Sequence, residues 1–151
     1  MSRSILGPST GFQMDTKTVE LTAHAALVKG DVVAVLTTTV ANGLLTTTKA
    51  CAGAAILEAN GEITVVAMED IASGAVGTFA YEGIFDVKCF HTGLDVGDYL
   101  FADDAATLAV REPDVDELKI VAICLEDTAG AANEAVRCMF SGLHGFGISQ
   151  V

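Results

Sequence analysis

Lys29-Gly30-Asp31-Val32-Val33-Ala34 returns later in the chain as Val96-Gly97-Asp98-Tyr99-Leu100-Phe101. In the same order, Val66-Ala67-Met68-Glu69-Asp70-Ile71-Ala72 returns as Ile123-Cys124-Leu125-Glu126-Asp127-Thr128-Ala129. Each Gly-Asp opens an apolar run, and each Glu-Asp closes one and starts a turn of small residues. A third phrase is loosely shared, Gly77-Thr78-Phe79-Ala80-Tyr81-Glu82-Gly83 against Val136-Arg137-Cys138-Met139-Phe140-Ser141-Gly142. Together they predict one β-rich body built from two related passes of strands.

Working outward, Thr18 begins a period-2 alternation, with Val19 and Leu21 against Glu20 and Thr22, as in a half-buried strand. Asp31 to Val40 is apolar and β-branched, and Asn42-Gly43 then signals a hairpin into Leu44 to Thr48. Asn60-Gly61 is a second turn signal. A three-residue loop there pairs Leu57 with Ile63 and Ala55 with Val65, keeping apolar faces together. Thr78 to Phe90 reads as two short strands broken near Glu82-Gly83. Asp98 to Ala102 and Thr107 to Val110 form another hairpin, and Leu118 to Leu125 and Ala135 to Phe140 are the last body strands. Only Ala129 to Ala135 and Ala50 to Ala59 have helical composition, and both are short and interrupted.

The expected fold is therefore all-β, a compact β-sandwich or small β-barrel (jelly-roll or β-tulip-like) with extended N- and C-terminal arms. The division is an N-terminal arm over 1–17, a β-rich domain over 18–142 and an extended tail over 143–151. A chain of 151 residues fits this plan, since one domain of that size buries a core without covalent staples. Hydrophobic residues make up 51% of it, yet aromatics only 6% and Trp none, which suits packed strands more than an aromatic-lined ligand cavity.

The charge narrows the function. Eight Lys and Arg against twenty acids give a formal net charge of −12, so a basic face for phosphates is not available. Nucleic acid and anionic membranes are excluded as expected partners. The start, Met1-Ser2-Arg3-Ser4-Ile5-Leu6-Gly7-Pro8, has no apolar leader, and the expectation is synthesis in a reducing cytoplasm. Cys51, Cys89, Cys124 and Cys138 show no C-x-x-C spacing, and the last three sit in apolar runs as small hydrophobes.

Candidate chemistry is sparse. Gly7-Pro8-Ser9-Thr10-Gly11 matches G-x-S-x-G but lacks the strand and helix that a nucleophile elbow needs. His24, His91 and His144 have no metal-ligand spacing, and Asp103-Asp104 and Asp114-Val115-Asp116-Glu117 lack the cadence of a calcium loop. No cofactor, metal or catalytic residue is expected. The duplicated carboxylates read as turn-shaping groups, because a catalytic site needs one copy and these occur twice. One enzyme class remains as an alternative, the trimeric all-β nucleotide pyrophosphatases that act on dUTP. Gly145-Phe146-Gly147 is similar to their closing arm, and Asp95-Val96-Gly97-Asp98-Tyr99 faintly echoes their uracil hairpin. A cell-surface β-module is a third class, and it predicts an export signal that the N-terminus lacks.

A broader resemblance follows from motif order. Val28-Lys29-Gly30-Asp31 is followed by Ala67-Met68-Glu69-Asp70-Ile71-Ala72-Ser73-Gly74. Then come Tyr81-Glu82-Gly83-Ile84-Phe85-Asp86-Val87 and Leu94-Asp95-Val96-Gly97-Asp98-Tyr99-Leu100-Phe101. From about Leu27 to Gly142, this order resembles the bacteriophage capsid decoration (cement, head-stabilising) proteins. The resemblance implies a non-enzymatic virion protein on the outer capsid surface, made in the host cytoplasm and clamping neighbouring major capsid subunits against internal DNA pressure. It implies a homo-oligomer, a trimer at threefold positions ahead of a dimer at twofolds. The extended ends are then the expected capsid-binding segments, anchored by Ile5, Leu6, Phe12 and Met14 at one end and Phe146 and Ile148 at the other.

Overall fold

The computed structural model describes residues 15–41, 44–47, 63–90, 93–102, 108–110, 118–130, 134–143, 145–146 and 148–149. Within them the fold is all-β, with no helix. Eleven strands follow in chain order. They are β1 (Lys17–Thr22), β2 (Val32–Ala41), β3 (Leu44–Thr47), β4 (Thr64–Ala67), β5 (Val76–Phe90), β6 (Tyr99–Ala102), β7 (Leu108–Val110), β8 (Leu118–Lys119), β9 (Ala122–Cys124), β10 (Glu134–Ser141) and β11 (Ile148–Ser149).

Nine of these form one sheet that closes on itself twice. The first circuit runs β1-β3-β2-β4-β5 and returns to β1, with β1 and β3 parallel at Thr22↔Thr46 and the other pairings antiparallel. The second runs β5-β10-β9-β6-β7 and returns to β5, with β5 and β7 parallel at Cys89↔Leu108. The connectivity is the same in both. Each circuit is a five-stranded barrel with one parallel closure, and closure removes the exposed edges that an open sheet presents. The two passes seen in the sequence are these two barrels.

β5 belongs to both. Its Val76–Glu82 portion pairs with β1, and Glu82–Cys89 pairs with β10. The expected break at Glu82-Gly83 is a handover inside one continuous strand of 15 residues. Gly83 takes a φ of 145° there while staying in register with Phe140, so the ladder continues through it.

Burial explains the apolar run at the start of β2. Val33 and Val35 point into the first barrel with Leu21, Val65, Ala67 and Phe79. Val32, Val66 and Ala80, cross-strand partners in one row, point outward and are covered by the core of the second barrel. A strand buried on both faces reads as continuous apolar sequence. Inside the second barrel, Phe85 and Phe140 stack obliquely with ring centroids 5.7 Å apart. Each fully buried Val or Phe contributes about 1.5–3 kcal/mol over its exposed state, so the row Val32–Val66–Ala80 firmly joins the barrels.

The strands flanking Asn42-Gly43 pair antiparallel as expected, with Ala41 opposite Leu44, and so do the later two, with Ala102 opposite Leu108; the connecting residues lie outside the described ones. The expected strand Leu118 to Leu125 is divided into β8 and β9 because its first residues leave the barrel to pair with β11. The hairpin proposed around Asn60-Gly61 and the Ala50 to Ala59 segment lie outside the described residues. Val65 itself has Val33 as its partner.

Candidate functional surfaces

The repeated phrases build the same hydrogen-bonded corner twice. In the first barrel, the Asp31 carboxylate accepts the Val28 N–H (2.8 Å) and the Asp70 carboxylate accepts the Lys29 N–H (2.9 Å). In the second, Asp98 accepts the Asp95 N–H (2.9 Å) and Asp127 accepts the Val96 N–H (2.9 Å). Glu69 accepts the Thr78 N–H at 3.0 Å, as Glu126 accepts that of Arg137 at 2.8 Å. The backbone repeats too: Gly30 N–H donates to Ala67 O and Gly97 N–H to Cys124 O, both at 2.8 Å. Gly30 and Gly97 have φ of 93° and 96°, so the tight turn before each strand uses the left-handed conformation that glycine adopts without strain.

These six carboxylates are thus engaged in holding their own turns. In the uracil-hairpin echo, Asp95-Val96-Gly97-Asp98-Tyr99, the amides of Asp95, Val96 and Gly97 all donate within the fold. The repeat also reaches further back than the phrases first suggested. Leu27 and Ile71 bridge antiparallel in the first barrel, as do Leu94 and Thr128 in the second. The sequence signal was available in His24-Ala25-Ala26-Leu27 against His91-Thr92-Gly93-Leu94.

Among the described residues no group of three or more His, Cys, Asp or Glu side chains is placed to hold a metal ion. His24 is exposed, and its carbonyl accepts from Ser73 Oγ at 3.4 Å. His91, His144, the G-x-S-x-G match and both acidic loops lie outside the described residues. A wholly apolar cleft of about 140 Å³ opens on the first barrel, lined by Val19, Leu21, Val35, Ile63, Val65, Tyr81 and Leu143.

Of the expected capsid-binding residues, Ile5, Leu6, Phe12 and Met14 lie outside the described residues. Phe146 is exposed, while its N–H donates to Ile120 O at 2.7 Å. Ile148 sits in β11, where it pairs with Lys119 of β8. The tail therefore folds back on its own chain at these two points, along the β8 segment that precedes β9. Near the other end, Lys17 Nζ lies 2.9 Å from Glu82 Oε2, and this hydrogen bond raises the Lys17 pKa above its ordinary value.

No protein-family profile matches the chain, and no curated protein matches it in sequence. Among solved structures it is similar to the crystal structure of the head fiber gp8.5 N base in bacteriophage phi29, with a TM-score of 0.56 at 13% identity. The likeness covers 84% of this chain and 95% of that one, so the two share an all-β fold over nearly the whole phi29 fragment.

Proposed function

We infer that the protein is a structural component of a phage head, a non-enzymatic decoration protein that sits on the outer surface and clamps neighbouring major capsid subunits. The observation carrying this reading is the fold likeness to a phage head fiber base, which extends over 84% of the chain. The resemblance of its motif order to that of decoration proteins supports it as well. So does the use of the duplicated carboxylates in turns, which leaves them as scaffold.

In this reading the double barrel is a rigid body and the ends make the attachment. Ile5, Leu6, Phe12 and Met14 supply apolar anchors for an extended segment that docks between subunits, with the exposed Phe146 ring as a second contact. Oligomerisation, as a trimer or dimer, multiplies modest contacts across several capsid subunits. A second reading, favoured by the same likeness, makes the body the base of a head appendage. Both require binding to the assembled head.

The test is co-sedimentation with undecorated heads. Deleting residues 1–14 is expected to leave a folded oligomer that no longer binds them, and normal binding by the truncated protein would refute the arm assignment. Electron microscopy of decorated heads separates a flat clamp from the base of a projecting fibre. Incubation with dUTP and magnesium is expected to release no pyrophosphate, and turnover would restore the enzyme alternative.

A further inference from the structure

The second barrel holds three buried thiols in one core, those of Cys89, Cys124 and Cys138. Two of them face each other. Cys124 of β9 is the direct antiparallel partner of Cys138 of β10. In the first barrel the equivalent positions are Ala67 and Phe79, which are likewise direct partners. An apolar pair in one copy of the motif is thus a dithiol pair in the other.

The register decides what that pair can do. Leu125 N–H donates to Arg137 O at 2.9 Å and Ser141 N–H to Val121 O at 2.8 Å. Counting inward from these bonds, 123/139 is again a hydrogen-bonded position, and 124/138 falls at a non-hydrogen-bonded one. Such pairs have Cα atoms about 4.5 Å apart, inside the roughly 4.4–6.8 Å span that a disulfide bridges. Cys89 also reaches Cys138, through a hydrogen bond between the two side chains, but from a different row of the ladder. It stands opposite Glu134, whereas Cys138 stands opposite Phe85, four residues away along β5.

We propose that Cys124 and Cys138 close a cross-strand disulfide when the protein meets a small-molecule disulfide such as oxidised glutathione, locking β9 to β10 in the second barrel. One cysteine thiolate attacks the glutathione disulfide and releases a first glutathione thiolate. The second cysteine then attacks the protein sulfur of the mixed disulfide and releases another. The two protons lost by the cysteines end on the two released glutathiones, so two protein thiols are oxidised and one glutathione disulfide is reduced.

The closed barrel restrains this reaction. Burial pushes the Cys124 thiol up, and its Sγ donates to Glu126 O at 2.9 Å. A hydrogen bond with Cys89, and then burial, push the Cys138 thiol further up. Both thiols stay protonated and shielded at neutral pH, so oxidation waits on local opening. A protein made in a reducing cytoplasm and carried out on a virion would meet the oxidant only afterwards. That setting rests on the proposed function, whereas the disulfide does not.

The reduced full-length protein, incubated with oxidised glutathione across a urea series below its unfolding midpoint, tests the proposal. Free thiols are then blocked with N-ethylmaleimide and the peptides mapped by mass spectrometry. The expected product is a single linked peptide joining Cys124 to Cys138. Its yield should rise with urea before global unfolding, and dithiothreitol should reverse it. Cys124→Ala, which installs the first barrel's residue, should abolish the link, and mapping of the unsubstituted protein stands whether or not this variant folds. A link to Cys89 or Cys51, or glutathione adducts alone, would overturn the proposal. So would the absence of any link at urea concentrations where N-ethylmaleimide already labels Cys138. The readout is independent of capsid binding, so its failure is distinct from failure of the decoration reading.

Discussion

Lys88 Nζ lies 2.6 Å from Asp31 Oδ1, and this ion pair ties the second half of β5 to the Gly-Asp turn of the first barrel. Both side chains are largely shielded, at 23% and 13% exposure, and the Lys88 N–H also donates to Gly30 O at 3.3 Å. Asp31 thus serves two purposes, shaping its own turn through Oδ2 and holding the neighbouring barrel through Oδ1.

The duplicated turn permits an internal comparison. Asp98→Ala removes one exposed turn bond and is expected to cost about 1 kcal/mol. Asp31→Ala also strands a shielded ammonium, and about 2–4 kcal/mol is expected. Urea unfolding of the two variants checks the order, and equal losses would contradict the role assigned to Lys88.

Gly142 marks a close backbone approach. Its carbonyl accepts the Thr64 N–H at 3.0 Å and its N–H donates to Tyr81 O at 2.8 Å. A Cβ at this position would run into the Thr64 carbonyl oxygen. Backbone cannot yield as a flexible side chain can, so Gly142→Ala is expected to destabilise by about 3 kcal/mol or more. Gly74→Ala is the control, since nothing lies within 4 Å of its Cβ and only the φ of 80° opposes it. About 1 kcal/mol is expected there, measured by the same unfolding assay.

Thr64 is fully buried, and among the described residues its Oγ1 finds no hydrogen-bond partner. A buried hydroxyl without a partner opposes folding. Thr64→Val keeps the branched shape and removes the hydroxyl, so stability should rise by about 1 kcal/mol. A loss of similar size in thermal or urea unfolding would mean that the hydroxyl is satisfied.

The raised thiols give the protein an alkaline weakness. A thiol whose folded pKa lies above its ordinary value of 9.0 keeps its proton in the native state while the unfolded chain releases it. The unfolded state then binds fewer protons, and stability falls as pH rises above about 9. Below that value both states hold the proton and the effect is absent. Unfolding midpoints from pH 7 to 11 should therefore decline more steeply in the unsubstituted protein than in Cys138→Ala, whatever the constant offset left by the cavity.

Much of the strand plan was legible in the sequence. Asn42-Gly43 and the run from Asp98 to Val110 signalled antiparallel neighbours, and β2 pairs with β3 and β6 with β7 in that sense, because turn chemistry and alternation are local properties. The run Val32-Val33-Ala34-Val35 announced burial, but the covering of both its faces became visible only with the second barrel in place. Cys124 and Cys138 read as isolated hydrophobes, since fourteen positions separate them and no local signal records a cross-strand partner. Of the candidate attachment residues, the chain named Phe146 and Ile148, while only the fold revealed that their backbone returns to Ile120 and β8.

By itself the sequence determined an all-β protein made of two related passes, entered at Gly-Asp and left at Glu-Asp, because each repeated phrase carries its own turn chemistry. Tertiary structure alone decided that each pass closes into a barrel and that β5 serves both. The parallel closures β1–β3 and β5–β7 join strands far apart in sequence, and such pairings come from the burial of whole sheets, which no short phrase encodes.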